Sequence, residues 1–144
     1  MAVEDIGLAD PEAVKQAIAG RDVYEQLGSP EGELAIAQAL VYLALAPKSN
    51  ALYVAYKQSR AAAKETGSQP PPKHILNAPT QFMKEEGYGD GYKYDHDQED
   101  GFSGQNYFPD GMKRGVYYLP KERGFERELA KRVEWFAKKR AEKG

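Results

Sequence analysis

The 144-residue chain contains no cysteine, which removes a disulfide scaffold, a thiolate metal site and a cysteine nucleophile. No stretch is apolar over the roughly 20 residues that a membrane-spanning helix needs. The N-terminus has neither a basic stretch nor an apolar run, so it does not read as a signal peptide. Net charge is only −2, which excludes binding of polyanions by bulk charge. Both phosphate-cradling patterns, GxGxxG on a strand-to-helix turn and GxxxxGK[ST], are missing, although Gly87, Gly89 and Gly91 alternate. The nucleophile elbow GxSxG is missed by Gly101-Phe102-Ser103-Gly104-Gln105. His74 and His96 have no partner pattern for a triad or a zinc site and read as structural or exposed. The length suits one domain with at most an appendage.

What the chain does have is a long apolar stretch, residues 34–46, broken only by Gln38 and the hydroxyl of Tyr42. Leu34, Ala37, Val41 and Leu45 make one helical stripe, and Ile36, Leu40 and Leu43 make another. A helix apolar on nearly all sides is expected in the middle of packed structure, because one packed face uses only part of it. Pro47 ends it, lacking the N–H that a helix interior needs. Ser49 or Asn50 then caps a second helix running to about Thr66, which carries Leu52, Tyr53, Val54 and Tyr56 and stops at Gly67. The two form a tight hairpin hinged at 46–50. Ahead of them, Asp10-Pro11 is a helix start and Gly28 a stop, so a helix is expected over 11–27 with Val14, Ala17, Ile18 and Tyr24 on its apolar face. Ser29-Pro30 repeats the start signal. Three helices with short connections pack as antiparallel or crossing neighbours.

Three consecutive prolines, 70–72, then break the chain. Thr80 is placed to cap a short helix over 81–86. Residues 88–120 are rich in Gly and Tyr with little period; 116–119 suggests a short strand with 91–94 as its partner. Tyrosines bury their rings and hydrogen-bond their hydroxyls, which suits a segment lying on the helices. A last helix is expected over 125–143, with Phe125, Leu129, Val133 and Phe136 in register and Trp135 beside them. Residues 85–110 hold eight acids against Lys93 alone, while 121–144 hold nine Lys or Arg against five Glu. The acidic run 95–100 fails as a calcium loop, since Asp100 stands where Gly is needed and Asn106 where Glu is needed, so it reads as a solvated turn with no metal site. Stacking of bases on Tyr88, Tyr92, Tyr94, Tyr107 and Phe108 is disfavoured by the same negative charge. The better nucleic-acid candidates are Lys131, Arg132, Lys138, Lys139 and Arg140 on the last helix. The residues by themselves describe a mostly helical domain with a tyrosine-rich wrap and no active site.

Three stretches carry a resemblance. They are EDIGLADP at 4–11; APKSN at 46–50 with Tyr53 after it; and HILNAPT at 74–80, leading to Gly87-Tyr88-Gly89, YKYDHD at 92–97, Gln105 and Tyr107. With these the chain resembles the C-terminal region of the replication-associated recombination protein A family (RarA, also called MgsA). These are AAA+ ATPases related to clamp loaders and to the eukaryotic Werner helicase-interacting protein. The likeness covers nearly the whole chain, with 125–144 matching in general character only. It implies a mainly α fold: a helical, clamp-loader-collar-like oligomerisation region over 1–67, then 68–144 as a mostly irregular Tyr/Gly-rich segment wrapping on the helices and ending in a basic helix. It also implies that the chain is a fragment. The family's ATP and magnesium sites would lie upstream, leaving no cofactor, metal or catalytic residue here. The expected partner is the chain itself, as a homotetramer with contacts on the hairpin at Leu34, Val41, Tyr42, Leu45 and Tyr53. The full-length protein would meet single-stranded-DNA-binding protein and forked or single-stranded DNA at stalled forks, in the bacterial cytoplasm at the nucleoid and not at a membrane. The alternative is a DNA- or protein-binding module built on the basic last helix and the tyrosine-rich segment.

Overall fold

Asp10 begins the first long helix by accepting a hydrogen bond from the Glu12 N–H on its Oδ1, at 3.1 Å, which satisfies one of the donors a helix start leaves open. A computed structural model describes residues 1–143. Its helices are α1 (Glu12–Leu27), α2 (Glu31–Leu45), α3 (Ala51–Thr66), α4 (Gln81–Glu85) and α5 (Glu126–Lys143), with short helical turns at Ala2–Ile6, Gly7–Ala9, Lys73–Ile75 and Asp95–Asp97. The fold is mainly α, as expected. Among the described residues there is no strand, so the expected pairing of 116–119 with 91–94 does not form. The Gln105 side chain takes the partner's place beside 91–93: its Oε1 accepts from the Lys93 N–H at 2.9 Å and its Nε2 donates to the Gly91 carbonyl at 2.8 Å. No helix of the described residues is long and apolar enough to cross a membrane.

The chain forms two units, Met1–Arg60 with Tyr117–Arg132, and Ala61–Val116 with α5 from Val133 onward. In the first, α1 packs on α2 through small residues. A side chain on Gly20 would meet the Ala35 carbonyl and the Ala39 Cβ at 3.0 Å, and one on Gly32 would meet the Tyr24 backbone at 2.7 Å. Both glycines are buried, and the buried apolar residues of the unit are Ile6 and five alanines, at 9, 13, 39, 51 and 55. The expected apolar face of α1 is therefore corrected, because Ile18 and Tyr24 stay exposed while Ala13 and Gly20 are inside. The expectation that α2 lies in the middle of the packing is corrected too. Its inward face is Gly32, Ala35 and Ala39, three positions at helical spacing, with Leu43 half-buried one turn on, while Leu34, Ile36, Leu40, Val41 and Leu45 are exposed.

In the second unit, Thr80 caps α4 by accepting from the Met83 N–H at 3.2 Å. Phe102 packs edge-on to Phe136 with ring centroids 5.0 Å apart and lies 6.1 Å from Trp135, while the Arg140 guanidinium sits 5.2 Å over its ring. Asp100 closes the same loop onto the end of α5, 2.7 Å from Lys143 Nζ and 3.4 Å from Lys139 Nζ.

The start of α5 is fixed in the first unit by backbone fit. Phe125 N–H donates to the Ala9 carbonyl at 2.8 Å. Gly124 beside it has φ +51°, and a Cβ there would fall 2.0 Å from that same carbonyl oxygen and 2.7 Å from Pro47. Both the left-handed backbone and the missing side chain are needed at once. Gly124→Ala is expected to destabilise the chain by about 3 kcal/mol or more, since strain and overpacking add. A melting temperature within two degrees of the parent's would refute that fit.

Candidate assembly surface and its carboxylate junction

Residues 46–50 form their hinge by satisfying two helix ends at once. Ala46 is extended, as a residue before proline must be. Lys48 Nζ then turns back to donate to the carbonyls of Leu43 and Ala46, each at 2.7 Å, so a cation covers the negative end of α2. Ser49 caps α3, its Oγ accepting from the Ala51 N–H at 3.2 Å; of the two candidate caps the serine takes the role. The Ser49 N–H donates to the Asp5 carbonyl at 2.7 Å, which ties the hinge to 4–11.

The Ser49 hydroxyl also donates, and its acceptor is the feature the sequence reading missed. Glu126, the first residue of α5, is fully buried. Its Oε2 accepts from Ser49 Oγ at 2.7 Å and from the Lys121 N–H at 2.8 Å; its Oε1 accepts from the Tyr118 hydroxyl at 3.0 Å. Burial, and then the bond to Glu126, push the Tyr118 phenol above its ordinary value. A buried carboxylate is tolerated only when hydrogen-bonded in this way. From sequence alone, a glutamate in the first turn of a helix reads as an exposed complement to the helix dipole, so nothing marked it as interior.

The expected tight hairpin is corrected: α2 packs on α1 and not closely on α3, because the extended Ala46 and Pro47 carry the chain away from α2 before α3 begins. The large apolar residues on both sides of the hinge stay outside. Leu34 is 74 % exposed, Val41 58 %, Leu45 82 % and Tyr53 45 %. Tyr42 is half-buried; its hydroxyl donates to Asp10 Oδ2 at 2.8 Å, and this bond, with burial second, pushes the phenol pKa above its usual value. Val41, Tyr42, Leu45 and Pro47 line an open depression of about 440 Å³. Of the basic candidates on α5, Lys131 is 2.8 Å from Glu128, Lys139 is paired with Asp100 and Glu142 at 3.4 Å each, and Arg140 covers Phe102; Arg132 and Lys138 are exposed. The alternating glycines do not suit a nucleotide's phosphates: Gly87, Gly89 and Gly91 form successive turns that lead into the three-residue turn at Asp95, not into a helix N-terminus. Asp95 itself is held below the usual carboxylate range by hydrogen bonds from Ser103.

Residues 1–137 match the family described as MgsA AAA+ ATPase C terminal. Over 138 residues the chain is 47 % identical to the replication-associated recombination protein A of Escherichia coli (strain K12), covering 95 % of this chain and 31 % of that protein. It is 37 % identical over 130 residues to the protein of the same name from Bacillus subtilis (strain 168), covering 90 % and 31 %. It is 41 % identical over 119 residues to ATPase WRNIP1 of Dictyostelium discoideum, covering 82 % and 14 %. The chain thus spans less than a third of the length of these relatives.

Two measurements check the electrostatics. Glu126→Ala leaves three donors facing an apolar gap, at about 1–3 kcal/mol each, so unfolding in denaturant should begin at markedly lower concentration; an unchanged midpoint would refute the junction. Separately, the bond from Lys143 holds the Asp100 carboxyl below its usual value, Lys139 adding to it. A lowered folded value means that this contribution is complete above the ordinary aspartate value of about 4 and is lost as pH falls through the lowered one. The fluorescence of Trp135, the single tryptophan, should therefore change in that acid range, and Asp100→Asn should remove most of the change. An identical acid transition in the variant would refute the assignment.

Proposed function

Since this chain belongs to the family of MgsA AAA+ ATPase C-terminal domains, we propose that it is the oligomerisation domain of a longer AAA+ ATPase acting in replication-associated recombination, and that it assembles that ATPase without chemistry of its own. One observation carries the reading: Leu34, Ile36, Leu40, Val41 and Leu45 of α2 lie exposed outside the chain's own packing while glycine and alanine make its closest contact with α1. Contiguous exposed apolar surface of this kind marks an interaction site. Obligate oligomer interfaces resemble a core cut in half, and a closed symmetric ring buries such surface without leaving free patches. Burying Leu34, Val41 and Leu45 against another copy is worth roughly 1.5–3 kcal/mol per side chain. The depression beside Tyr42 and Pro47 gives a second copy's side chain a socket, and Tyr53 on α3 is a further exposed ring for the interface.

The assembly is a homotetramer resembling the clamp-loader collar. The ATP and magnesium sites lie in the rest of the protein, which supplies the contacts to single-stranded-DNA-binding protein and to forked or single-stranded DNA at the nucleoid of the bacterial cytoplasm. The competing reading, a nucleic-acid module on α5, has less support, because Lys131, Lys139 and Arg140 already have partners within the chain.

The test is the mass of the purified chain at micromolar concentration. Four copies are expected, with no ATP turnover above buffer. Leu34→Glu and Leu45→Glu alter residues that are mostly exposed in one chain, so each should reduce the mass toward a monomer while the circular-dichroism spectrum stays helical. A folded, monomeric parent would end the proposal.

A further inference from the structure

In the second unit, three segments converge on an open cavity of about 600 Å³ whose walls include His74, Asn77, Tyr92 and Tyr107 over Leu76 and Ala78. Its shape is set before any ligand arrives. Gly89 N–H donates to the Lys73 carbonyl at 2.8 Å and Tyr92 N–H to the Gly89 carbonyl at 3.3 Å, which lays the turn at 87–92 on the turn at Lys73–Ile75. Gln105 clasps Gly91 and Lys93 from the other side, and the Tyr107 ring lies 6.1 Å from that of His74. His74 Nε2 is buried and has no hydrogen-bond partner among the described residues.

The chemistry of the wall narrows the occupant. Tyr88, Phe108 and Phe102 each already face a cation of the chain, namely Lys73, Arg114 and Arg140. Tyr92 and Tyr107 are half-exposed and face none among the described residues. Asp90 sits in the turn between two lining residues, within a segment of eight acids and one lysine. The lining itself holds no carboxylate; Asp90 beside Gly89 is the adjacent acid, while Lys73 beside His74 is turned to Glu86, so one carboxylate and two tyrosine faces favour a cation over a phosphate group. A planar guanidinium fits better than an ammonium, since it stacks on a ring and donates in the plane to acceptors such as the Asn77 amide oxygen.

We propose that the cavity between His74, Asn77, Tyr92 and Tyr107 is a binding site for an arginine side chain of a partner polypeptide. The site lies in the second unit, so it stands or falls independently of assembly through α2.

The experiment uses the whole 144-residue chain and a fluorescein-labelled, end-blocked peptide carrying three arginines, followed by anisotropy. Peptides with citrulline or lysine in place of arginine, and a labelled thymidine oligonucleotide, are run beside it. Saturable binding is expected for the arginine peptide, weakened about tenfold by citrulline and about tenfold by Tyr92→Leu or Tyr107→Leu, the scale of a lost cation–π contact. Lysine should bind more weakly than arginine, and the oligonucleotide should not saturate. Asn77→Ala, at an exposed position, gives a second variant should a tyrosine change disturb folding, and it should weaken the arginine peptide more than the lysine one. No binding, or binding equal for arginine and lysine and indifferent to all three variants, means diffuse charge attraction and overturns the proposal. Saturable oligonucleotide binding lost with the same tyrosines overturns it in favour of base stacking.

Discussion

The carboxylate of Glu126 accepts hydrogen bonds from a hinge, a loop and a tyrosine that lie up to 77 positions from it in sequence. A fully buried acid can be held only where donors already point at it. The hinge at 46–50 must therefore present the Ser49 hydroxyl, and the chain before α5 must present the Lys121 N–H and the Tyr118 phenol. Around this point the backbone of 4–11 closes in, through Asp5 on Ser49 and Ala9 on Phe125. Residues 4–11, the hinge and the start of α5 thus come together around one side chain.

The small buried core of the first unit has a consequence for the helices. α1 and α2 approach through Gly20, Gly32, Ala35 and Ala39, where a single added methyl collides with backbone or a neighbouring Cβ. Small residues on the inside allow close contact but bury little apolar area. Most of the large residues of α2 that would normally supply it, Leu34, Ile36, Leu40, Val41 and Leu45, stay exposed. Under the proposed assembly, stability would draw on association, since apolar surface left in water by one copy would be available to the next.

The second unit solves a different problem. Its chain has little periodic secondary structure, so its backbone groups need local partners. The Gln105 amide serves one stretch as a strand would, Asp95 Oδ1 accepts from the Ser103 N–H at 2.7 Å, and the Phe102 ring is held against α5 by an aromatic cluster and by the ion pairs of Asp100. Isolated ion pairs at a surface contribute little; here they close a loop whose ring is already docked. The same local clasps shape the tyrosine-lined cavity.

Helix positions were legible in the sequence because their signals are local. Asp10-Pro11, Gly28, Ser29-Pro30, Pro47, Thr80 and Gly67 mark ends by backbone chemistry that acts within four residues, and each helix was placed to within a residue or two. The family likeness rested on stretches that include the hinge at 46–50 and the lining of the cavity, whereas Tyr118, Lys121 and Glu126 of the junction lie outside them. Which face of α2 turned inward was not legible, since an all-round apolar helix gives periodicity no preference, and the deciding fact was how closely Gly32 and Ala39 let another helix approach. Nor was the burial of Glu126, because an acid at a helix start looks the same whether water or three distant donors surround it. Local propensity is written in neighbouring residues; the environment of a side chain is decided by residues that only the tertiary structure brings near.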